Sequence, residues 1–150
     1  MSTQILAPLD GRAMPLSEVP DPVFSAEMVG SGVAIEPPDT DERITVVAPI
    51  AGAIVKLHPH AAVIVDDAGQ GVLLHVGIDT VGKADIFEVK AAEGDRVNVG
   101  DPLVTFSPNA IRRLGLSAAV PVVVMDSAPG SAQDAVSGPV TTGAVLFSIQ

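Results

Sequence analysis

The chain has 150 residues, enough for a single core but short for two, and is expected to form one domain over residues 1–150. Eight basic and 18 acidic residues leave a formal charge of −10, which repels phosphate backbones and anionic lipid and argues against nucleic-acid binding. Cysteine is absent, which excludes a disulfide framework, a zinc thiolate and a thiol nucleophile, so cysteine chemistry must belong to a partner.

Hydrophobic residues make up 47% of the chain but aromatics only 3%, with 14 Gly and 13 Pro, so the apolar residues come as short Val, Ile, Leu and Ala runs between turn formers. That pattern predicts an all-β protein. Met1 to Leu6 has neither the basic start nor the apolar run of a secretory signal, and the chain is expected to be cytoplasmic. Ala7-Pro8-Leu9-Asp10-Gly11 opens the first half with a turn, echoed by Ala48-Pro49-Ile50-Ala51-Gly52 in the second. Gly32-Val33-Ala34-Ile35 echoes Gly71-Val72-Leu73-Leu74, which puts His75 where Glu36 stands in the first half.

Farther along, Val97, Gly100, Leu103 and Phe106 share their spacing with Val140, Gly143, Leu146 and Ile149, and both sets read as hairpins. Between them, Ser107-Pro108 leads into an apolar-basic segment that stops at Gly115, with a capping serine, a first-turn proline and a terminal glycine; this predicts one short helix. The segment around Ala118 to Met125 is apolar but interrupted by Pro121 and far shorter than the roughly 20 residues that cross a bilayer, so no direct membrane insertion is expected. Asp126 to Gln133 is loop-like and the expected mobile segment. The fold expected from these elements is a duplicated hybrid motif, an antiparallel β-sandwich or barrel with one short helix.

All three histidines, His58, His60 and His75, fall within eighteen positions. If Val72 to Asp79 is a strand, alternation puts Val72, Leu74, Val76 and Ile78 on a core face and Leu73, His75, Gly77 and Asp79 on the other. Gly77 would then leave room beside the imidazole for an incoming group. Taken alone, this pattern admits both a functional His75 and a satisfied structural one.

Leu74-His75-Val76-Gly77-Ile78-Asp79-Thr80-Val81 resembles the phosphorylation-site motif of the glucose-type enzyme IIA domains of the bacterial sugar phosphotransferase system. The likeness extends through Ile5 to Gly11, Val19 to Phe24, Met28 to Ile35, Val46 to Pro49 and Glu93 to Val97, and so covers nearly the whole chain. The resemblance implies a phosphoryl relay: phosphorylated HPr donates to His75, and a cysteine in the IIB domain of a sugar permease accepts. It implies that His60 helps hold and neutralise the phosphoryl group. Asp21 and Asp79 become the acidic pair that meets a basic group on the donor, and Val23, Phe24 and Val29 an apolar docking surface; the alternative is that the aspartates are solvated and the apolar three are core. No cofactor or metal is expected, the chain is expected to be a monomer, and regulatory protein partners could share the surface. Phosphoryl transfer asks for positioning and for donors aimed at the equatorial oxygens, and His60 and the backbone near Gly77 are the candidates.

The chain departs from the pattern before His60, where it is two residues shorter than many relatives and His58 replaces a usual threonine, and after Val81, where it is one residue shorter. A zinc-dependent hydrolase is the main rival, because His58-Pro59-His60 has ligand spacing and His75 with Asp79 forms a His-x-x-x-Asp pair. The order of the two pairs is reversed from that of the peptidases it resembles. A biotinyl or lipoyl carrier is disfavoured because Lys56, Lys83 and Lys90, the only lysines, are not in a methionine-flanked turn.

Overall fold

The computed structural model describes residues 3–150. Its strands are β1 (Thr3–Leu6), β2 (Gly11–Pro15), β3 (Gly30–Glu36), β4 (Ile44–Val47), β5 (Gly52–His58), β6 (Ala61–Val65), β7 (Gly71–His75), β8 (Phe87–Val89), β9 (Arg96–Val97), β10 (Pro102–Phe106), β11 (Val120–Met125), β12 (Gly138–Val140) and β13 (Val145–Ile149). They form an eight-stranded sheet in the order β12-β2-β3-β11-β7-β6-β5-β9, a three-stranded sheet β4-β10-β8 and the pair β1-β13, with antiparallel pairing throughout. The main core lies on one face of the large sheet and is built from Ile5, Leu9, Ile35, Ile54, Ile64, Leu74, Leu103, Phe106, Leu146 and Phe147, among others. The opposite face carries a smaller cluster, Leu16, Val19, Phe24, Ala34, Ile78 and Val123.

The fold is the expected all-β one, with two short helices where one was expected. The predicted helix is α2 (Pro108–Arg113), and the Ser107 side chain accepts the Ala110 N–H as its cap. The additional one is α1 (Pro22–Ser25), four residues whose start is set by Asp21: its carboxylate accepts the N–H groups of Val23 and Phe24 at 2.8 and 3.1 Å.

The duplication is real, and its first echo has a steric cause. A Cβ on Gly11 would collide with the carbonyl oxygen of Glu36, and one on Gly52 with that of Val65, so each half needs glycine where its strand passes the end of the next. The halves also cross: the Leu6 N–H bonds the Pro49 carbonyl and the Val47 N–H the Pro8 carbonyl. The second echo does not form hairpins. Its turns close as expected, Asp101 N–H to Asn98 O and Ala144 N–H to Thr141 O. The flanking strands, however, join different sheets: β9 pairs β5 while β10 pairs β4 and β8, and β12 pairs β2 while β13 pairs β1. The reason is that the first echo takes the hydrogen bonds that would close the hairpins. Ala48 bonds Asp101 O and Gly100 N–H, and Ala7 bonds Ala144 O and Gly143 N–H.

The palindromic order of the large sheet also corrects the inner register. With β2 equivalent to β5 and β12 to β9, the counterpart of β3 is β6, and β7 corresponds to β11. His75 therefore matches Met125 rather than Glu36. The hydrogen bonds agree: Val76 N–H donates to His60 O and Asp126 N–H to Val29 O, while His75 pairs Ala61 and Met125 pairs Gly30. The Asp126 to Gln133 loop is irregular as expected, but it is pinned by a bridge between Gln133 and Ser148 and by Ala132 N–H on the Ser31 hydroxyl.

Candidate functional site

Strand β7 stops at His75 rather than running to Asp79, because Gly77 and Asp79 both adopt left-handed backbone, at φ 80° and 61°. Alternation holds through Val76, which is buried in the main core. It then breaks, and Ile78 joins the smaller cluster on the His75 side. This turn folds the chain back beneath the imidazole. The His75 Nδ1 lies 2.6 Å from the Gly77 carbonyl oxygen. A carbonyl only accepts, so Nδ1 carries the proton and donates it, and the lone pair of the neutral ring is left on Nε2.

Gly77 thus acts differently from the sequence expectation. It does not open space beside the ring; a Cβ there would lie 2.6 Å from Thr80 Cγ2 and 3.0 Å from Ile111 Cδ1. The N–H groups of Val76, Gly77 and Ile78 are taken within the fold, by His60 O, Ala119 O and Ser117 O. What Gly77 supplies is a carbonyl aimed at Nδ1.

His60 is the second residue of a two-residue turn, Pro59-His60, joining β5 to β6. The bond from Val76 N–H to its carbonyl, at 2.6 Å, anchors it beside the end of β7. The His60 and His75 ring centroids are 5.0 Å apart with planes at 63°. Phe24, from α1, meets His75 edge-on at 5.6 Å, a contact that the sequence pattern did not reveal. His58, the last residue of β5, stacks on His60 at 5.6 Å with planes 15° apart.

Burial pushes the His75 pKa below its ordinary value, opposed by the Gly77 carbonyl and the charges of Asp21 and Asp79. Burial also lowers that of His60, aided by repulsion from His75 and His58. Two neutral imidazoles thus face each other at neutral pH. Asp79 is exposed, Val23 is 42% exposed, and Val29 packs partly against the smaller cluster; Phe24 is 8% exposed and packs in that cluster, its ring against His75. Among the described residues, no group of three or more His, Asp or Glu side chains is arranged to hold a metal ion. The His58, His60, His75 and Asp79 set of the hydrolase alternative is therefore not assembled as ligands.

Residues 3–129 match the model of the phosphoenolpyruvate-dependent sugar phosphotransferase system, EIIA 1 family. The chain belongs to this family. The EIIA chain is 43% identical over 123 residues to the PTS system glucose-specific EIIA component of Halalkalibacterium halodurans, covering 80% of this chain and 69% of that protein. It is 41% identical over 127 residues to a PTS system glucose-specific EIIBCA component of Corynebacterium glutamicum, covering 83% of this chain but 18% of that longer protein. Glucose permease IIA from Mycoplasma capricolum superimposes with a TM-score of 0.90 at 31% identity, over 100% of this chain and 97% of that one. Membership makes this EIIA chain a component of a sugar phosphotransferase cascade, and its β-sandwich is that of the solved relative. Among the described residues no helix is long and apolar enough to cross a membrane.

Proposed function

We propose that this chain is a single-domain cytoplasmic phosphocarrier of the glucose type, loaded on His75 by phosphorylated HPr and unloaded by a cysteine of a permease IIB domain. The observation that carries this reading is the bond from the His75 Nδ1–H to the Gly77 carbonyl, which leaves a nucleophilic lone pair on Nε2. In the first step Nε2 attacks the phosphorus of the donor phosphoimidazole. A new P–N bond forms as the old one breaks, and the donor ring leaves with the bonding pair. In the second step the acceptor thiolate attacks the same phosphorus, a P–S bond forms, and His75 recovers its lone pair. His60, edge-on to His75, is the residue suited to hold the equatorial oxygens. Asp21, Val23 and Phe24 at α1, Val29 in the segment leading from it to β3, and Asp79 in the turn after β7 are the proposed donor-facing residues. The absence of cysteine in the chain agrees with an acceptor thiol on the partner.

The test is incubation with phosphoenolpyruvate, enzyme I and HPr, read by intact mass and acid lability. Wild type is expected to gain one acid-labile phosphoryl group and His75→Gln none, while His60→Gln loads but passes the group on slowly. Loading that persists in His75→Gln refutes the assignment.

A further inference from the structure

His58 stands where the family resemblance places a threonine, and the phosphocarrier reading assigns it no role. Its position is nevertheless constrained. It closes β5, pairs with Ala61 across the two-residue turn, and lays its ring nearly parallel to that of His60 at 5.6 Å. That spacing is within the range of aromatic stacking. The His60 backbone is already held by the Val76 N–H, so the side-chain torsions are its main remaining freedom, and the stack restricts them. The three imidazoles form a row from exposed His58 through His60 to the partly buried His75.

We propose that His58 is a positioning residue for His60: its stacked ring keeps His60 edge-on to His75 when His75 carries a phosphoryl group. The inference rests on the phosphocarrier reading above. A phosphoryl group brings up to about two negative charges beside His60. Opposite charge favours the protonated imidazole and reverses the balance that keeps His60 neutral in the unloaded protein. The stack on His58 holds His60 in the orientation from which that charge is met.

Lys56, on the same strand, lines with His58 a cavity of about 250 Å³ together with Ala61, Ala62, Val63 and Leu73. On the far side of His75 the charges are those of Asp21 and Asp79. The nearby Glu93 carboxylate accepts the Leu57 N–H. A threonine at position 58 has no ring to stack on His60.

The experiment follows each imidazole by NMR titration in histidine-labelled protein, before and after loading through HPr, for wild type, His58→Phe and His58→Thr, alongside the pH profile of transfer to a IIB domain. In wild type, loading is expected to raise the titration midpoint of His60. In unloaded His58→Phe, His60 is expected to titrate at higher pH than in wild type, because the repelling charge is gone while the stack remains. His58→Thr is expected to slow onward transfer by at least about threefold through loss of orientation, and His58→Phe to restore part of that rate. If wild type loads on His75 but both variants match it in His60 titration and in transfer, this inference is overturned and the phosphocarrier reading stands. If wild type does not load on His75, both fall.

Discussion

Replacing Gly77 by alanine tests the site at the atom on which its chemistry depends. The backbone there is left-handed at φ 80°, which costs an L-residue about 1–2 kcal/mol. The new methyl would lie 2.6 Å from Thr80 Cγ2, 3.0 Å from Ile111 Cδ1 and 3.3 Å from Ser117 O. Ile111 is fully buried, so relief requires core movement, and overpacking of this kind costs about 1–3 kcal/mol. Alanine also stiffens the unfolded chain, which returns about 0.4–1 kcal/mol. The net expectation from these terms is a loss of about 2–4 kcal/mol. Gly82→Ala is the control, since Gly82 has φ 84° but open space around its Cβ position, and it should lose less than about 2 kcal/mol. Urea denaturation of both variants measures the difference. In the folded fraction of Gly77→Ala, the displaced carbonyl should also free the His75 tautomer, slowing phosphoryl acceptance beyond any effect of Gly82→Ala. Equal stability of the two variants, or wild-type acceptance by Gly77→Ala, would refute the reasoning.

Asp21 both caps α1 and carries charge toward His75, and two substitutions separate these roles. Asp21→Asn keeps a good cap, so its stability should stay within about 0.5 kcal/mol of wild type while loading by HPr slows and becomes less salt-sensitive; Asp21→Ala should in addition lose about 1 kcal/mol on denaturation. The folded His75 and His60 pKa values lie below 6.5, so the unfolded chain binds more protons between those values and 6.5. Their contribution is complete above pH 6.5 and is lost as pH falls through that window, and urea midpoints should drop there. Acceptance by His75 should begin to fall only below pH 6.5, which a stopped-flow pH series checks. Met125→His combined with His75→Gln puts an imidazole at the pseudo-equivalent strand end, and intact mass after incubation with HPr is expected to find no phosphoryl group.

Much of the architecture can be read from residue types because the constraints are local. Ser107, Pro108 and Gly115 mark α2 within one short segment, and Gly11 and Gly52 recur because the same backbone collision recurs. The misreadings come from non-local pairing. The turns at Gly100 and Gly143 resemble hairpins until Ala48 and Ala7 take their hydrogen bonds, and the binary pattern of residues 72–79 cannot register that the backbone reverses at Gly77. A four-residue helix such as α1 has too few positions for periodicity, although Asp21-Pro22 is a start signal in plain view. The same limit hides the contact between Phe24 and His75, because it joins residues 51 positions apart through α1. The three histidines could be located from their clustering, but their row of stacked and edge-on rings depends on the β5–β6 turn and the end of β7 meeting in space.

The internal two-fold sets the proposed phosphoryl site at His75 against its pseudo-equivalent strand end. His75 and Met125 occupy matching positions, and each is followed by an N–H donated to the carbonyl of the residue before the neighbouring strand. After Met125 the chain turns at once, with Asp126 at φ 63° and the Ser127 hydroxyl closing back on the Val124 carbonyl. After His75 the turn is delayed to Gly77, and that delay carries a carbonyl under the ring at 2.6 Å. The partners differ in the same way: Val29 contributes a half-buried apolar side chain to the smaller cluster, whereas His60 contributes an imidazole. The duplicated scaffold supplies two equivalent platforms, and the turn after His75 together with the residue at position 60 makes one of them suited to nucleophilic chemistry.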